Sequence, residues 1–269
     1  MVHIVIIFFF CNHPTIQPSS NPEAYILMKF SVVIPAHNEE GVIKDTLDKL
    51  VQKLHDEKFD FELVVVADHC SDGTERILEE FSGKDKRIRW VRNKEKAGFG
   101  MAVRAGLDEY KGNAVAIFMA DASDSPEDLC KYFKKVEEGA ECVFGSRFIK
   151  GSRVVDYPKH KYLLNRFVNW LIRIMFRHGL NDTTNAFKCY RREVIDGCRP
   201  FLSPHFNLTV ELPLKSYIRG YKFEIIPISW ENRKAGISKL KLKEMGSRYF
   251  FIILYCFLEK YMVGKDYHK

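Results

Sequence analysis

The sequence predicts an α/β fold with a mostly parallel central sheet covered by helices on both faces, and three observations carry that prediction. Short, nearly unbroken β-branched runs recur along the first half of the chain: "KFSVVIPA", "FELVVVAD", "IRWVRN" and "NAVAIFMAD". Segments with helical spacing lie between them. Polar, acid-rich loops follow each run. A strand that is apolar at nearly every position is buried on both sides, which a parallel sheet between helices achieves. With 269 residues and 46% hydrophobic content, the chain is long enough to bury one sizeable core.

The elements follow in order. "KFSVVIPA" (Lys29–Ala36) opens the sheet, directly after Met28. "EEGVIKDTLDKLVQKL" places Val42, Ile43, Leu47, Leu50 and Leu54 at helical spacing. "FELVVVAD" is a second buried strand, "DGTERILEEFSG" a helix, "IRWVRN" a third strand and "GFGMAVRAGLDEY" a helix. "NAVAIFMAD" is the fourth strand. In "DSPEDL" after it, the Ser-Pro and the acids beyond mark a helix start, which takes Glu127 and Asp128 and offers Asp124 as a cap. Ligands of parallel sheets gather at the carboxyl ends of the strands. There stand "PAHNEE", "ADHCSDGT", "NKEKAGFG" and "ADASDSPED".

The ends of the chain read differently. Residues 1–27 carry an apolar run without a basic start or a small-residue cleavage site, so they read as an extension before a domain spanning 28–240. In the remainder, 241–269, "YFFIILYCFL" (Tyr249–Leu258) is too short to cross about 30 Å of hydrocarbon as a helix. Basic residues precede it, so this end reads either as an interfacial helix on an anionic leaflet or as a helix packed on the domain. The seven cysteines are scattered without C-x-x-C pairs, which favours reduced thiols and a cytoplasmic setting, free or at the cytoplasmic face of a membrane.

The net charge of +7 admits nucleic acid, an anionic membrane or phosphorylated ligands. No nucleic-acid recognition motif or aromatic platform appears, which sets nucleic acid aside. The acids at the end of the fourth strand point to phosphate instead. Crowded carboxylates repel unless a cation neutralises them, and a hard divalent ion takes one or two carboxylates together with phosphate oxygens. Asp121 is the first candidate ligand. Gly98 and Gly100 do not form a dinucleotide fingerprint, since the first strand-to-helix turn has no glycines. They read as points of close backbone approach.

Seven stretches in order, "SVVIPAHNEE", "VVVADHCSDGT", "GFGMAVRAGL", "MADASDSPED", "FGSRF", "NDTTNAFKCYRREV" and "WENRKAGISKL", resemble the family 2 glycosyltransferases over about Phe30 to Leu240. Within that family the dolichyl-phosphate mannose synthases and their polyprenyl-phosphate relatives are most similar. The resemblance implies a GT-A nucleotide-diphospho-sugar transferase fold and inverting transfer of a mannose- or glucose-type sugar. The donor would be a nucleotide-diphosphate sugar of the GDP-mannose or UDP-glucose type, the acceptor a polyprenyl phosphate, and the cofactor Mg²⁺ or Mn²⁺, with peripheral membrane contact. It places Pro35, His37, Glu39, Asp68, Asp121 and Ala122 at the nucleotide. Ala67 stands where the family carries a further acid.

At the family's D-x-D motif this chain reads Asp121-Ala122-Ser123-Asp124. Ser123 occupies the place of the second carboxylate and Asp124 is displaced by one, so Asp121, Ser123 and Asp124 form the candidate metal set. The resemblance also places Arg147 near the sugar and acceptor phosphate, and Arg233 and Lys239 in a phosphate-binding stretch. Asp182 and Asn185 read as sugar contacts or helix caps. Glu211 matches an acid beside the active site that orients the sugar or, with a hydroxyl acceptor, serves as general base. Two other readings stay open: a transferase acting on a soluble or polysaccharide hydroxyl, and a catalytically silent nucleotide-sugar binding protein, which Ser123 would explain.

Overall fold

The computed structural model describes residues 28–232 and 242–263. Four strands, β1 (Lys29–Ala36), β2 (Asp60–Ala67), β3 (Ile88–Arg92) and β4 (Ala114–Ile117), alternate with α1 (Ile43–Asp56), α2 (Thr74–Lys84) and α3 (Phe99–Glu109). Then come α4 (Pro126–Glu137), β5 (Cys142–Ser146), β6 (Arg153–Val155), α5 (Lys159–Phe176), β7 (Lys188–Arg191), α6 (Arg192–Cys198) and α7 (Leu208–Ile218). The described chain ends with β8 (Phe223–Pro227), β9 (Ser229–Glu231) and α8 (Leu242–Met262).

Seven strands form one sheet in the order β3-β2-β1-β4-β7-β5-β8. All pairings are parallel except those of β7, which runs antiparallel between β4 and β5. The expected parallel architecture is present, and the reversed strand is an addition to it. From β1 the chain winds outward to β2 on one side and later to β4 on the other. The carboxyl ends of β1 and β4 therefore flank a topological switch point.

Side chains of each strand alternate between two cores. Phe30, Val32 and Ile34 of β1 and Leu63 and Val65 of β2 pack under α1, α2 and α4, against Leu47, Leu78 and Phe133. Val33 and Val64 point the opposite way, against Val103 and Leu107 of α3 and Leu212 of α7. This two-sided burial is why the strand sequences are continuous rather than alternating.

Helix α7 is buried almost all round because it lies between two cores: Leu208 and Leu212 face the sheet, while Val210, Leu214 and Ile218 face outward. That outward side is covered by Ile172 and Phe176 of α5 and by Ile252, Ile253 and Cys256 of α8, making a third layer. The carboxyl-terminal helix is thus packed on the domain along one side. Among the described residues no helix is long and apolar enough to cross a membrane. The six cysteines among the described residues are free thiols.

Gly98 and Gly100 are points of close approach between the start of α3 and the loop before α7. A Cβ on Gly100 would lie 2.5 Å from the Ser203 carbonyl and 2.7 Å from that of His205, and backbone atoms there cannot swing aside. By contrast, a Cβ on Gly83 of α2 meets nothing within 4 Å. Gly100→Ala is expected to destabilise the fold by about 2 kcal/mol through overpacking. Gly83→Ala should stabilise it by about 0.5 kcal/mol through lower unfolded-state entropy. Urea denaturation of the two variants checks both signs.

Candidate active site

The site is built where the backbone ladder runs past the strand ends. Ala36, Ala67 and Arg92 stand in register across β1, β2 and β3. One residue further, the Asp68 amide donates to Ala36 O at 2.8 Å and the Asn93 amide to Ala67 O at 2.9 Å. On the other side of β1 the Phe118 amide donates to Val33 O at 3.0 Å. The loops that follow leave the sheet beside one another at its switch point.

On the β1–β2 side, Pro35 is the last residue but one of β1, and the His37 ring nitrogen Nδ1 meets the Asp68 carbonyl. Asn38, in the left-handed region at φ 55°, accepts from the Ser71 amide at 2.7 Å and joins the two loops. The Glu39 amide donates to Thr74 Oγ1 at 2.9 Å and its carbonyl begins α1. Asp68 is buried, with one oxygen accepting from Asn93 Nδ2 at 2.7 Å and the other from the Gly98 amide at 2.9 Å. Asp68 therefore ties the loops after β1, β2 and β3 together. Asn93, which had not been singled out, follows directly on β3 in the "NKEKAGFG" loop.

On the β4 side the chain turns sharply at Ala122, which adopts φ 58°. Asp121 accepts from the Ser123 amide at 3.2 Å. Thr46 of α1 braces the turn by donating its hydroxyl to Ala120 O at 3.0 Å. The cap of α4 is Ser125, whose hydroxyl accepts from the Asp128 amide at 3.4 Å, and not Asp124. Asp124 turns inward, accepts from the Met119 amide at 3.1 Å and bridges to Trp230 of β9. Asp128 is part of the helix start, as expected, and holds the Ser229 amide and Lys131 Nζ.

Asp121, Ser123 and Asp124 are all buried within this one turn. Burial, reinforced by the Asp121 carboxylate, pushes Asp124 up to about 7; the Met119 amide and Arg147 oppose the shift without cancelling it. Ionising Asp124 is therefore costly in this buried turn above neutrality. Among the described residues no group of three or more His, Cys, Asp or Glu could hold a metal alone. A cation here would take one or two carboxylates and find its remaining oxygens on a ligand, the donor set that suits a hard divalent ion.

Arg147 follows β5 and is buried. Its guanidinium makes two bonds to Asp182, at 2.8 and 2.7 Å, and the Arg147 amide adds a third at 3.0 Å. Burial works against the charge, but Asp182 outweighs it and holds the guanidinium above its ordinary value. The rings of Phe148, Tyr157 and Trp230 lie 5.3 to 5.9 Å from the guanidinium carbon. Asp182, a candidate sugar contact in the sequence, is thus the partner of Arg147. Asn185 holds the same loop by donating to Gly145 O at 3.1 Å.

Lys188 was missed. It lies buried in β7, and its ammonium donates to the carbonyls of Thr183, Asn185 and Thr209. Burial pulls it down to about 7 against the attraction of Asp182. A lysine inside the buried run "AFKCY" was the available signal, since such a residue must find fixed acceptors.

Glu211 lies apart from these groups, inside α7 with 0% exposure. It accepts from the amides of Leu202 and Ser203 at 2.8 and 2.7 Å and pairs with Lys215 at 2.7 Å. Its position is that of a loop anchor; neither oxygen is left open for a substrate proton. Arg233 and Lys239 lie outside the described residues, as do residues 1–27.

Residues 31–198 match the family profile described as Glycosyl transferase family 2. The chain belongs to glycosyltransferase family 2. It is 29% identical over 215 residues to a polyprenol monophosphomannose synthase of Mycolicibacterium smegmatis, covering 78% of this chain and 80% of that one. It is 28% identical over 219 residues to a dolichol-phosphate mannosyltransferase of Pyrococcus furiosus, covering 80% of this chain and 60% of that one, so it spans less than two thirds of that relative. Among solved structures it resembles glucosyl-3-phosphoglycerate synthase from Mycobacterium tuberculosis, determined with Mn²⁺, UDP and the product. The TM-score is 0.65 at 20% identity, covering 87% of this chain and 80% of that one, which establishes the GT-A fold. This family 2 member is a glycosyltransferase.

The raised Asp124 carries a pH dependence whose sign is fixed. An acid whose folded value lies above its unfolded value binds protons more tightly in the folded state, so stability falls as pH rises between the two. For Asp124 that window runs from its ordinary value near 4 to about 7. In metal-free protein, Asp124→Asn should remove on the order of 4 kcal/mol of this loss. The variant should gain on the parent at pH 8 and match it near pH 4, as read by thermal unfolding with chelator.

Proposed function

We propose that this glycosyltransferase moves a mannose- or glucose-type sugar from a nucleotide-diphosphate sugar to a polyprenyl phosphate, with inversion at the anomeric carbon and with Mg²⁺ or Mn²⁺. The observation that carries the acceptor class is the sealing of Glu211. A hydroxyl acceptor needs a base to take its proton, and the acid that the family resemblance offers for that task is fully engaged inside the fold. A phosphate acceptor is already anionic and needs none. The names of the mycobacterial and pyrococcal relatives support the same reading.

In this reading His37 stacks on the base, Asp68 accepts from the nucleoside, and Pro35, Glu39 and Ala122 shape the walls of the nucleotide crevice. Asp121, with Asp124 standing in for the acid that Ser123 replaces, would hold a divalent ion. When bound, such an ion would supply charge neutralisation for the leaving diphosphate. Asp124 must be ionised to bind it, so a bound cation resolves the like-charge conflict within the turn. Arg147 keeps guanidinium donors beyond the two committed to Asp182, and its aromatic surround fixes the plane in which they point. Arg233 and Lys239 retain the phosphate role that their motif implies.

Turnover of a panel of nucleotide sugars, with and without Mn²⁺, with a short-chain polyprenyl phosphate or with phosphoglyceric acid as acceptor, tests the proposal. Metal-dependent formation of a lipid-linked sugar is expected. Product on phosphoglyceric acid alone would overturn the acceptor assignment. Asp121→Asn should lower kcat by at least about a hundredfold while leaving the fold intact. Asp124→Asn should do likewise if it is the second metal acid, and unchanged activity in the Asp121 variant would sink the metal assignment.

A further inference from the structure

The reversal of β7 brings a cation to the end of the sheet where the site lies. Because β7 runs antiparallel to β4 and β5, its first residue, Lys188, stands level with Ile117, the last of β4, and with Phe144 of β5. Lys188 is 1% exposed, so its ammonium must find acceptors inside the fold. It has three N–H donors and meets three main-chain carbonyls: Thr183 at 3.0 Å, Asn185, and Thr209 at 3.4 Å. The third acceptor is open because of a proline. In α7 the Thr209 carbonyl would take the amide of the residue four places on, which is Pro213 and has no N–H. Lys188 fills that gap and ties the first turn of α7 to the turn before its own strand.

That turn, residues 182–185, is what holds Arg147. The Asn185 amide closes it on the Asp182 carbonyl at 3.2 Å, and the Asn185 side chain fastens it to Gly145 of β5. Thr184 Oγ1 accepts from Asn165 and Asn169 of α5 at 2.8 and 3.1 Å. With the turn fixed, the Asp182 carboxylate takes the amide, Nε and Nη2 of Arg147 together. Removing the Lys188 ammonium would strip a donor from three buried carbonyls, two of them within this turn. Opening the turn to recover donors would carry Asp182, and with it the plane of the Arg147 guanidinium, out of place.

We propose that Lys188 is a positioning residue for sugar transfer: by clamping the 182–185 turn to α7 it sets the direction of Asp182 and, through Asp182, of the Arg147 guanidinium. Lys188 itself touches no substrate. The inference rests on the reading of Arg147 as the group beside the sugar and the acceptor phosphate. Amide hydrogen exchange followed by NMR, in the parent and in Lys188→Met, tests it without turnover. The Arg147 amide, which donates to Asp182, is expected to exchange at least about tenfold faster in the variant. The Asp68 and Asn93 amides, held by the ladder on the far side of β1, should keep the parent's rates. In steady-state kinetics the KM for the acceptor should rise at least about tenfold, with the KM for the nucleotide sugar within about twofold of the parent.

Unchanged exchange at Arg147, or faster exchange at all three amides alike, would overturn the proposal and leave Lys188 a general prop of the fold. A lowered melting temperature with both KM values unchanged would do the same. Lys188→Gln, which keeps amide donors on a shorter stem, stands in if the methionine variant does not fold, and the same selective loss at Arg147 is expected of it. Failure of the parent to glycosylate a polyprenyl phosphate would remove the acceptor assigned above, whereas the Lys188 proposal would still be decided by exchange at Arg147.

Discussion

The candidate site depends on a main-chain ladder that continues beyond its own strands. Because β1, β2 and β3 run parallel and in register, the Asp68 and Asn93 amides still find carbonyls of the neighbouring strand after the side chains have turned polar. Backbone groups at a strand end are costly to bury unpaired, so the ladder is what allows Asp68 to be buried just beyond the strand end. The same logic holds across the switch point, where the Phe118 amide reaches back to Val33 and carries the acidic turn to the level of His37.

Buried charges sit in three settings: matched pairs, Lys188 held by backbone carbonyls, and the acids of the turn after β4. Arg147 with Asp182, Lys215 with Glu211 and Arg219 with Glu259 are each matched by an opposite partner at 2.7 to 3.0 Å. Matched buried pairs contribute little net stability, but removing one member leaves an uncompensated charge and costs several kcal/mol. Asp124 differs, since burial and the nearby Asp121 carboxylate raise the cost of ionising it and Arg147 relieves that cost only in part. A cation held there, as proposed above, would relieve the repulsion that raises Asp124.

Much of this was legible in the sequence, for identifiable reasons. The β-branched runs announce strands because burial on both faces forbids polar interruptions, and "DSPEDL" announces α4 because Pro126 and the acids after it suit only a helix start. Asp121 was legible as an acid where a buried strand ends. The partners of Asp182, Lys188 and Glu211 were not. Asp182 and Arg147 are 35 residues apart and meet only because β5 and β7 pair, and strand reversal at β7 leaves no local signature. Glu211 sits in a helix buried on both sides, where the periodicity that would show an inward carboxylate is lost.

Glu211 illustrates how far from the chemistry a site can be controlled. Its carboxylate holds the amides of Leu202 and Ser203. The carbonyls that follow, of Ser203 and Pro204, press on Gly100 and Gly98, and Pro204 O accepts from the Met101 amide at 3.1 Å. Gly98 in turn donates to Asp68. Each contact in this series is a hydrogen bond or a packed backbone, so displacement at one end has little slack to absorb it before reaching Asp68. In the proposed reading, Glu211 thus governs where the nucleoside is held without touching substrate. Loss of activity on its removal would report positioning, with substrate affinity and turnover falling together, and would not identify a base.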